Sequence, residues 1–263
     1  MSADHLSRIL ERKARECERR RRHRGLFDPA RCVDDGEDRG QAALAALRRA
    51  QGVRVIAEVK FRSPSAGELR AWRAGEGVAI ARGYVEGGAS AISVLCDRRG
   101  FGGSVLEARR VARAVGVPVL FKEFVLDPLQ IDLARAAGAS MVLLLVRALE
   151  GETLRALVER CRERGLEPLV EAASEAEVER ALETSARVIG VNARDLSSFE
   201  VDAGLAGRAI QKIPPSRVAV YMSGVSSREE LERVADGRAD AVLIGSGLMR
   251  ADDPGRRLAE LLA

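Results

Sequence analysis

The chain has 263 residues, 46% hydrophobic and 31% charged, enough to bury a large core and too apolar for a largely disordered protein. Its longest apolar runs, such as MVLLLV at 141–146, are too short to cross a bilayer, and the N-terminus shows no apolar signal-type stretch, so a cytoplasmic protein is expected. The net charge of +4 is concentrated at the head, where residues 1–31 hold ten Lys/Arg against five Asp/Glu, leaving the body near neutral.

At that head, Leu6, Ile9, Leu10, Ala14 and Cys17 recur at helical spacing, which predicts an amphipathic helix. The arginine run RRRRHR (19–24) then reads as its solvated end. A nucleic-acid patch ranks behind this, because aromatics make up only 3% of the chain and none forms a stacking motif nearby.

After residue 50 one theme repeats. Short apolar, β-branched runs predict strands at 53–60, 91–96, 117–121, 141–146, 167–172, 188–192, 217–222 and 241–245. Helix-compatible segments separate them, among them 127–138, 151–165, 174–183 and 227–237. Strands that alternate with helices predict parallel βαβ units, and eight even units predict a closed (β/α)8 TIM barrel. An open doubly wound sheet is the runner-up, but no G-x-G-x-x-G follows the first strand. Residues 1–50 are read as an N-terminal helical extension of one domain spanning 1–263, since no Gly/Ser/Pro linker follows them.

A barrel carries its chemistry at the C-terminal ends of its strands and in the loops that follow. Those positions hold Glu58 and Lys60 after the first strand, Lys122 after the third, Glu171 after the fifth and Asn192 after the sixth. Each shares parity with an apolar or small residue (Ile56, Leu120, Leu169, Gly190), so all should face one mouth. A single charged strand tip is usually the chain emerging into water. Two lysines and two glutamates around one low-dielectric cavity can instead supply a general acid and a general base. His5 and His23 both lie in the head, so a Ser-His-Asp triad or a His-ligated metal is not expected. Cys17, Cys32, Cys96 and Cys161 have no CxxC spacing and read as reduced thiols.

The last two strand ends carry a second signal. SGVSSREEL places Ser226 or Ser227 as a helix N-cap with glutamate three residues on, and IGSGLM brings a second glycine-serine turn. Small residues at helix starts after the seventh and eighth strands are where barrels commonly bind phosphate, and Arg194 can add a charged contact.

The motifs IAEVKFRSPSAG, ISVLCDRRGFGGS, PVLFKEFVLDP, VIGVNARDLSSFEVD, SGVSSREELERV and AVLIGSGLMRADDPG, in this order, resemble indole-3-glycerol-phosphate synthase of tryptophan biosynthesis. The resemblance runs from ILERKARE to the C-terminus. It implies a cofactor-free lyase that turns 1-(2-carboxyphenylamino)-1-deoxyribulose 5-phosphate into indole-3-glycerol phosphate, releasing CO2 and water. By position, Lys122 matches the family's general-acid lysine and Glu171 the acid/base carboxylate of dehydration. Lys60 matches a substrate-contacting lysine, Glu58 its acidic neighbour, and Asn192 and Ser223 polar residues around substrate hydroxyls and carboxylate. Ser63, Arg194, Gly224, Gly245 and Ser246 match the phosphate-binding set, and Phe101, Phe124, Leu143 and Leu196 the walls for the aryl ring.

The chain departs from the family pattern at Met222, usually glutamate, at Glu123, usually aspartate, and at Ala193, usually asparagine. Losing the strand-end glutamate removes a charge from the mouth, so retuned catalysis is expected, as in a diverged copy of the enzyme. The expected partner is a small phosphorylated substrate, alongside other tryptophan-pathway enzymes, with the chain a monomer or weak homodimer and no membrane contact. Two rival readings remain: a barrel aldolase or isomerase forming a Schiff base on Lys122, and an inactive barrel whose basic head binds nucleic acid.

Overall fold

The computed structural model describes residues 5–22, 37–50, 52–64, 66–194 and 200–263. Two helices come first, α1 (His5–Arg22) and α2 (Arg39–Leu47). β1 (Arg54–Val59) leads into a small hairpin, β2 (Arg62–Ser63) and β3 (Gly67–Glu68), and then α3 (Glu76–Glu86). β4 (Ala91–Leu95), α4 (Arg98–Phe101), α5 (Val105–Ala114), β5 (Val119–Lys122) and α6 (Pro128–Ala136) follow. Next come β6 (Met141–Leu145), α7 (Gly151–Glu163), β7 (Glu167–Ala172), α8 (Glu175–Leu182) and β8 (Val188–Asn192). The chain ends with α9 (Ala203–Gln211), β9 (Val218–Met222), α10 (Arg228–Ala235), β10 (Ala241–Ile244), α11 (Ser246–Met249) and α12 (Pro254–Leu262).

The strands close in the order β1-β10-β9-β8-β7-β6-β5-β4, and every neighbouring pair is parallel. This is the expected (β/α)8 barrel. Short polar residues start its helices, Ser104 for α5, Asp127 for α6, Ser174 for α8 and Asp253 for α12, each contributing about 1 kcal/mol. Of the two serines proposed to cap α10, Ser227 is the N-cap, and it forms the expected capping box with Glu230.

Strand parity divides the core in two. Val55, Ala57, Ile92, Phe121, Val142 and Ile244 face the helices. Ile56, Leu120, Met141, Leu169, Val220 and Leu243 fill the barrel interior. α2 closes the N-terminal end of that interior, with Leu44 and Leu47 in the same cluster and Gly40 N donating to Gly165 O at the foot of β7. α1 lies at the opposite end, where Arg21 pairs with Asp127 at 2.6 Å.

The predicted third strand begins two residues later than expected, because Pro118 has no N–H for the ladder, and it extends to include Lys122. The apolar stripe of α1 also needs correction. Ala14 is exposed, and the buried position between Ile9 and Cys17 is taken by Lys13. Cys17, Cys96 and Cys161 are free and buried. Cys32 and His23 lie outside the described residues.

Candidate active site

The C-terminal mouth of the barrel opens into a cavity of about 320 Å³. Every residue matched to the family's catalytic, phosphate-binding or aryl-wall set lines it except Leu196, which lies outside the described residues.

Glu58 sits at the centre. Strand parity places it directly above Ile56 in the barrel interior, and only 2% of it is exposed. Its Oε1 lies 2.9 Å from Lys60 Nζ and its Oε2 2.8 Å from Lys122 Nζ, while Ser93 Oγ donates to Oε2 at 3.3 Å. Gly245 is required beside it, because a Cβ there would stand 2.6 Å from Glu58 Oε1. Burial alone raises a carboxyl's pKa, but the charges of Lys122 and then Lys60 outweigh it and hold Glu58 at about 2.

Lys122 and Glu171 face each other across this mouth. Burial works to lower the Lys122 pKa, yet the Glu58 and Glu171 carboxylates overcome it and raise the ammonium above its ordinary value. Glu171 goes the other way for a carboxylate. Burial raises it, and Lys122 with the Asn192 hydrogen bond offsets that only in part. Asn192 Nδ2 donates to Glu171 Oε1 at 2.9 Å, and Asn192 Oδ1 accepts from Arg194 N at 3.0 Å, so the amide's orientation is fixed from both ends. The result is a lysine held charged beside a carboxyl inclined to keep a proton.

The opposite rim is formed by tight turns of small residues. Ser223 takes φ 68° and Gly224 φ 79°, turning the chain sharply after β9. Ser223 is the only non-glycine residue with positive φ among the described residues, and strain of this kind concentrates at functional sites. Gly245 and Ser246 open α11 against this turn, and a Cβ on Gly247 would stand 3.2 Å from Ser226 Cβ. Ser63 lies on the facing loop, where its Oγ accepts from Ala66 N at 3.1 Å and sets the turn at Pro64. Arg194 and Arg250 bring two guanidinium groups to the same cavity. Phe101, Phe124 and Leu143 line the apolar side, and the two rings lie 6.0 Å apart at 39°.

The sequence reading missed Leu95, Leu145, Leu243, Val225 and Arg250, whereas Ser226 and Gly247, part of the two glycine-serine turns it pointed to, do line the cavity. Arg250 had a usable signal, a cation within the loop that follows the last strand. Glu123 also lines the cavity, but its carboxylate is engaged by Lys13 at 3.0 Å.

Met222 differs from its expected setting. It is fully buried and does not line the cavity. Its side chain fills the barrel beneath Asn192, and a Cβ on Gly190 would stand 2.5 Å from its Sδ and 2.9 Å from Leu169 Cδ2. Gly190 thus leaves the room that Met222 occupies.

Among known proteins, the family model described as indole-3-glycerol phosphate synthase matches residues 6–261. The protein named indole-3-glycerol phosphate synthase of Kineococcus radiotolerans is 48% identical over 213 residues, 81% of this chain and 77% of that protein. Its namesake in Mycolicibacterium smegmatis is 43% identical over 236 residues, 88% of this chain and 86% of that protein. Among solved structures, 3-hexulose-6-phosphate synthase from Salmonella typhimurium matches with a TM-score of 0.61 at 17% identity, over 80% of this chain and 98% of that one, a likeness of fold.

Proposed function

The chain belongs to the indole-3-glycerol phosphate synthase family, and from that premise we propose how its mouth performs the family's reaction. The substrate is 1-(2-carboxyphenylamino)-1-deoxyribulose 5-phosphate. Its phosphate is taken up by Gly224, Gly245 and Ser246 with Arg194, and Ser63 closes that rim. Its aryl ring lies against Phe101, Phe124 and Leu143. Anchoring both ends brings the carboxylate-bearing ring carbon to the ketose carbonyl, which lowers the barrier by orientation.

As the new carbon–carbon bond forms, the carbonyl oxygen gains charge, and the Lys122 ammonium gives it a proton. The ring then loses CO2, and the electrons of the broken bond restore its aromaticity. Glu171, which burial inclines to carry a proton, donates it to the departing hydroxyl and takes one back as the pyrrole ring completes, releasing water. Lys60 contacts the substrate carboxylate, while Asn192 and Ser223 hold hydroxyls. Glu58 holds both lysines in place and keeps Lys122 charged. These steps move protons and draw on no cofactor.

One observation carries the assignment: Lys122 stands 2.8 Å from the Glu58 carboxylate on a cavity with a rim of tight small-residue turns on one side and aromatic walls on the other. It also argues against the Schiff-base reading, because a nucleophilic amine must be neutral and these carboxylates keep Lys122 protonated. Borohydride trapping of a substrate adduct on Lys122 would reverse that judgement. The direct test is incubation with the carboxyphenylamino substrate while following indole absorbance, beside Lys122→Ala. Absence of product from the unsubstituted protein refutes the assignment.

No helix among the described residues is long and apolar enough to cross a membrane. We further propose a single-domain enzyme of the cytoplasm, acting as a monomer or weak homodimer alongside other enzymes of tryptophan biosynthesis.

A further inference from the structure

On sequence grounds α1 is an amphipathic helix with a solvated end, yet its most buried charge reaches into the walls of the active site. Lys13 lies one turn from Ile9 and one turn from Cys17, on the buried face of the helix, and is only 4% exposed. Its ammonium touches two carboxylates from different barrel loops, Asp97 Oδ1 at 2.8 Å and Glu123 Oε2 at 3.0 Å. A third contact, Glu16 Oε2 at 3.1 Å, comes from its own helix.

Each loop carboxylate in turn holds backbone at or next to an aromatic wall residue. Asp97 is the N-cap of α4, where its Oδ2 accepts from Gly100 N at 2.6 Å, and α4 ends at Phe101. Glu123 Oε1 accepts from Phe124 N at 2.8 Å. The Phe124 carbonyl is braced from the other side by Gln130 Nε2 at 2.8 Å. A single ammonium therefore ties together the two loops whose rings face each other at 6.0 Å. Lys122, the neighbour of Glu123, is held independently by Glu58 on β1.

We propose that Lys13 is a positioning residue for the aryl-binding wall: through Asp97 and Glu123 it holds Phe101 and Phe124 at the separation the substrate ring requires. The inference rests on the reading above that these rings bind the aryl group. Without the ammonium, two buried carboxylates that share one nitrogen are left close together. Their repulsion and hydration draw both loops outward, because an unpaired buried charge is costly. Arg12, 2.7 Å from Asp97 Oδ1, restrains only one of the two.

The test is Lys13→Met, compared with the unsubstituted protein on three probes: substrate turnover, binding of indole-3-glycerol phosphate and binding of inorganic phosphate. KM and the product dissociation constant should rise about tenfold, the scale of a lost aromatic contact. Phosphate affinity should stay unchanged, and kcat should stay within about twofold because Lys122 keeps its Glu58 partner. Adding Glu123→Gln to Lys13→Met removes one orphaned charge and should recover part of the KM. Lys13→Gln, which keeps a polar group in the slot, repeats the measurement if Lys13→Met does not fold. Equal weakening of phosphate and product, an unchanged KM, or a fall in kcat alone would each overturn the proposal. Failure of the functional assignment would show instead in the unsubstituted protein, as absence of product.

Discussion

Glu58→Gln replaces the carboxylate that bridges both lysines of the mouth by an amide of the same shape. The amide can still accept from Ser93 but leaves Lys60 and Lys122 without their shared counter-ion. In the folded protein Glu58 is held at about 2, against an ordinary value of 4.5. At about 1.4 kcal/mol per unit, that depression corresponds to about 3 kcal/mol of stability at neutral pH. Removing one member of a buried ion pair costs a similar amount, about 3–5 kcal/mol. A depressed carboxyl stabilises fully above its unfolded pKa, and the contribution is lost as the pH falls through the folded value. The unsubstituted protein should therefore lose this increment progressively from about pH 5 to about pH 2, whereas Glu58→Gln, already lacking it, should show a shallower slope there. Urea unfolding at a series of pH values measures both curves. They should stand about 3 kcal/mol apart at pH 7 and converge in acid. The same variant exposes the chemistry. Burial lowers the Lys122 pKa, and without Glu58 only Glu171 opposes it strongly, so the ammonium should deprotonate at lower pH. The alkaline limb of kcat/KM should move down accordingly. Parallel stability curves, or an alkaline limb that does not move, would refute the claim that Glu58 holds the general acid charged.

Ser223→Gly should relax the φ 68° backbone and raise stability by up to about 1 kcal/mol in thermal melts, while the lost hydroxyl lowers kcat/KM. Asn192→Ala removes the 2.9 Å hydrogen bond that favours ionised Glu171. The Glu171 pKa should rise further, and the fall in kcat as Glu171 loses the proton it donates should move to higher pH without a comparable change in phosphate binding. Met222→Glu places a carboxylate in the dry layer beside Gly190 and Leu169, so it should lower the melting temperature. If the missing family glutamate retunes the reaction, the same change should raise turnover, and unchanged or lower turnover counts against that reading.

How far the sequence reached depended on which periodicity each residue obeyed. The barrel was legible because continuous β-branched runs and intervening helical segments repeat eight times, and a strand's two-residue period leaves no choice of face. Given Ile56 in the interior, Glu58 had to follow it there, and the same logic carried Leu120 to Lys122 and Leu169 to Glu171. Parity fixes a direction but not a depth. Met222 obeys the inward parity of Val220, and the sequence placed its missing charge at the mouth. It lies lower because Gly190 on the neighbouring strand lacks a Cβ, and the methionine settles into that gap. Arg250 and Val225 reach the cavity from loops, where no period operates and only tertiary closure decides what faces inward.

Lys13 shows the limit from the other side. Its spacing from Ile9 and Cys17 put it on the buried stripe, and a rule that expects apolar residues there passed over it in favour of Ala14. A lysine in that register is tolerated only if carboxylates meet it, and the two that do lie 84 and 110 residues further along the chain. Nothing local announces them: Asp97 reads as an ordinary helix cap and Glu123 as a mild exchange for aspartate. A charged residue at an apolar register is thus a signal in its own right, since its burial obliges distant partners to exist. Here those partners lie in the loops that carry the aromatic wall, so the residue that breaks the helical pattern is also the one that joins both of those loops to the head of the chain.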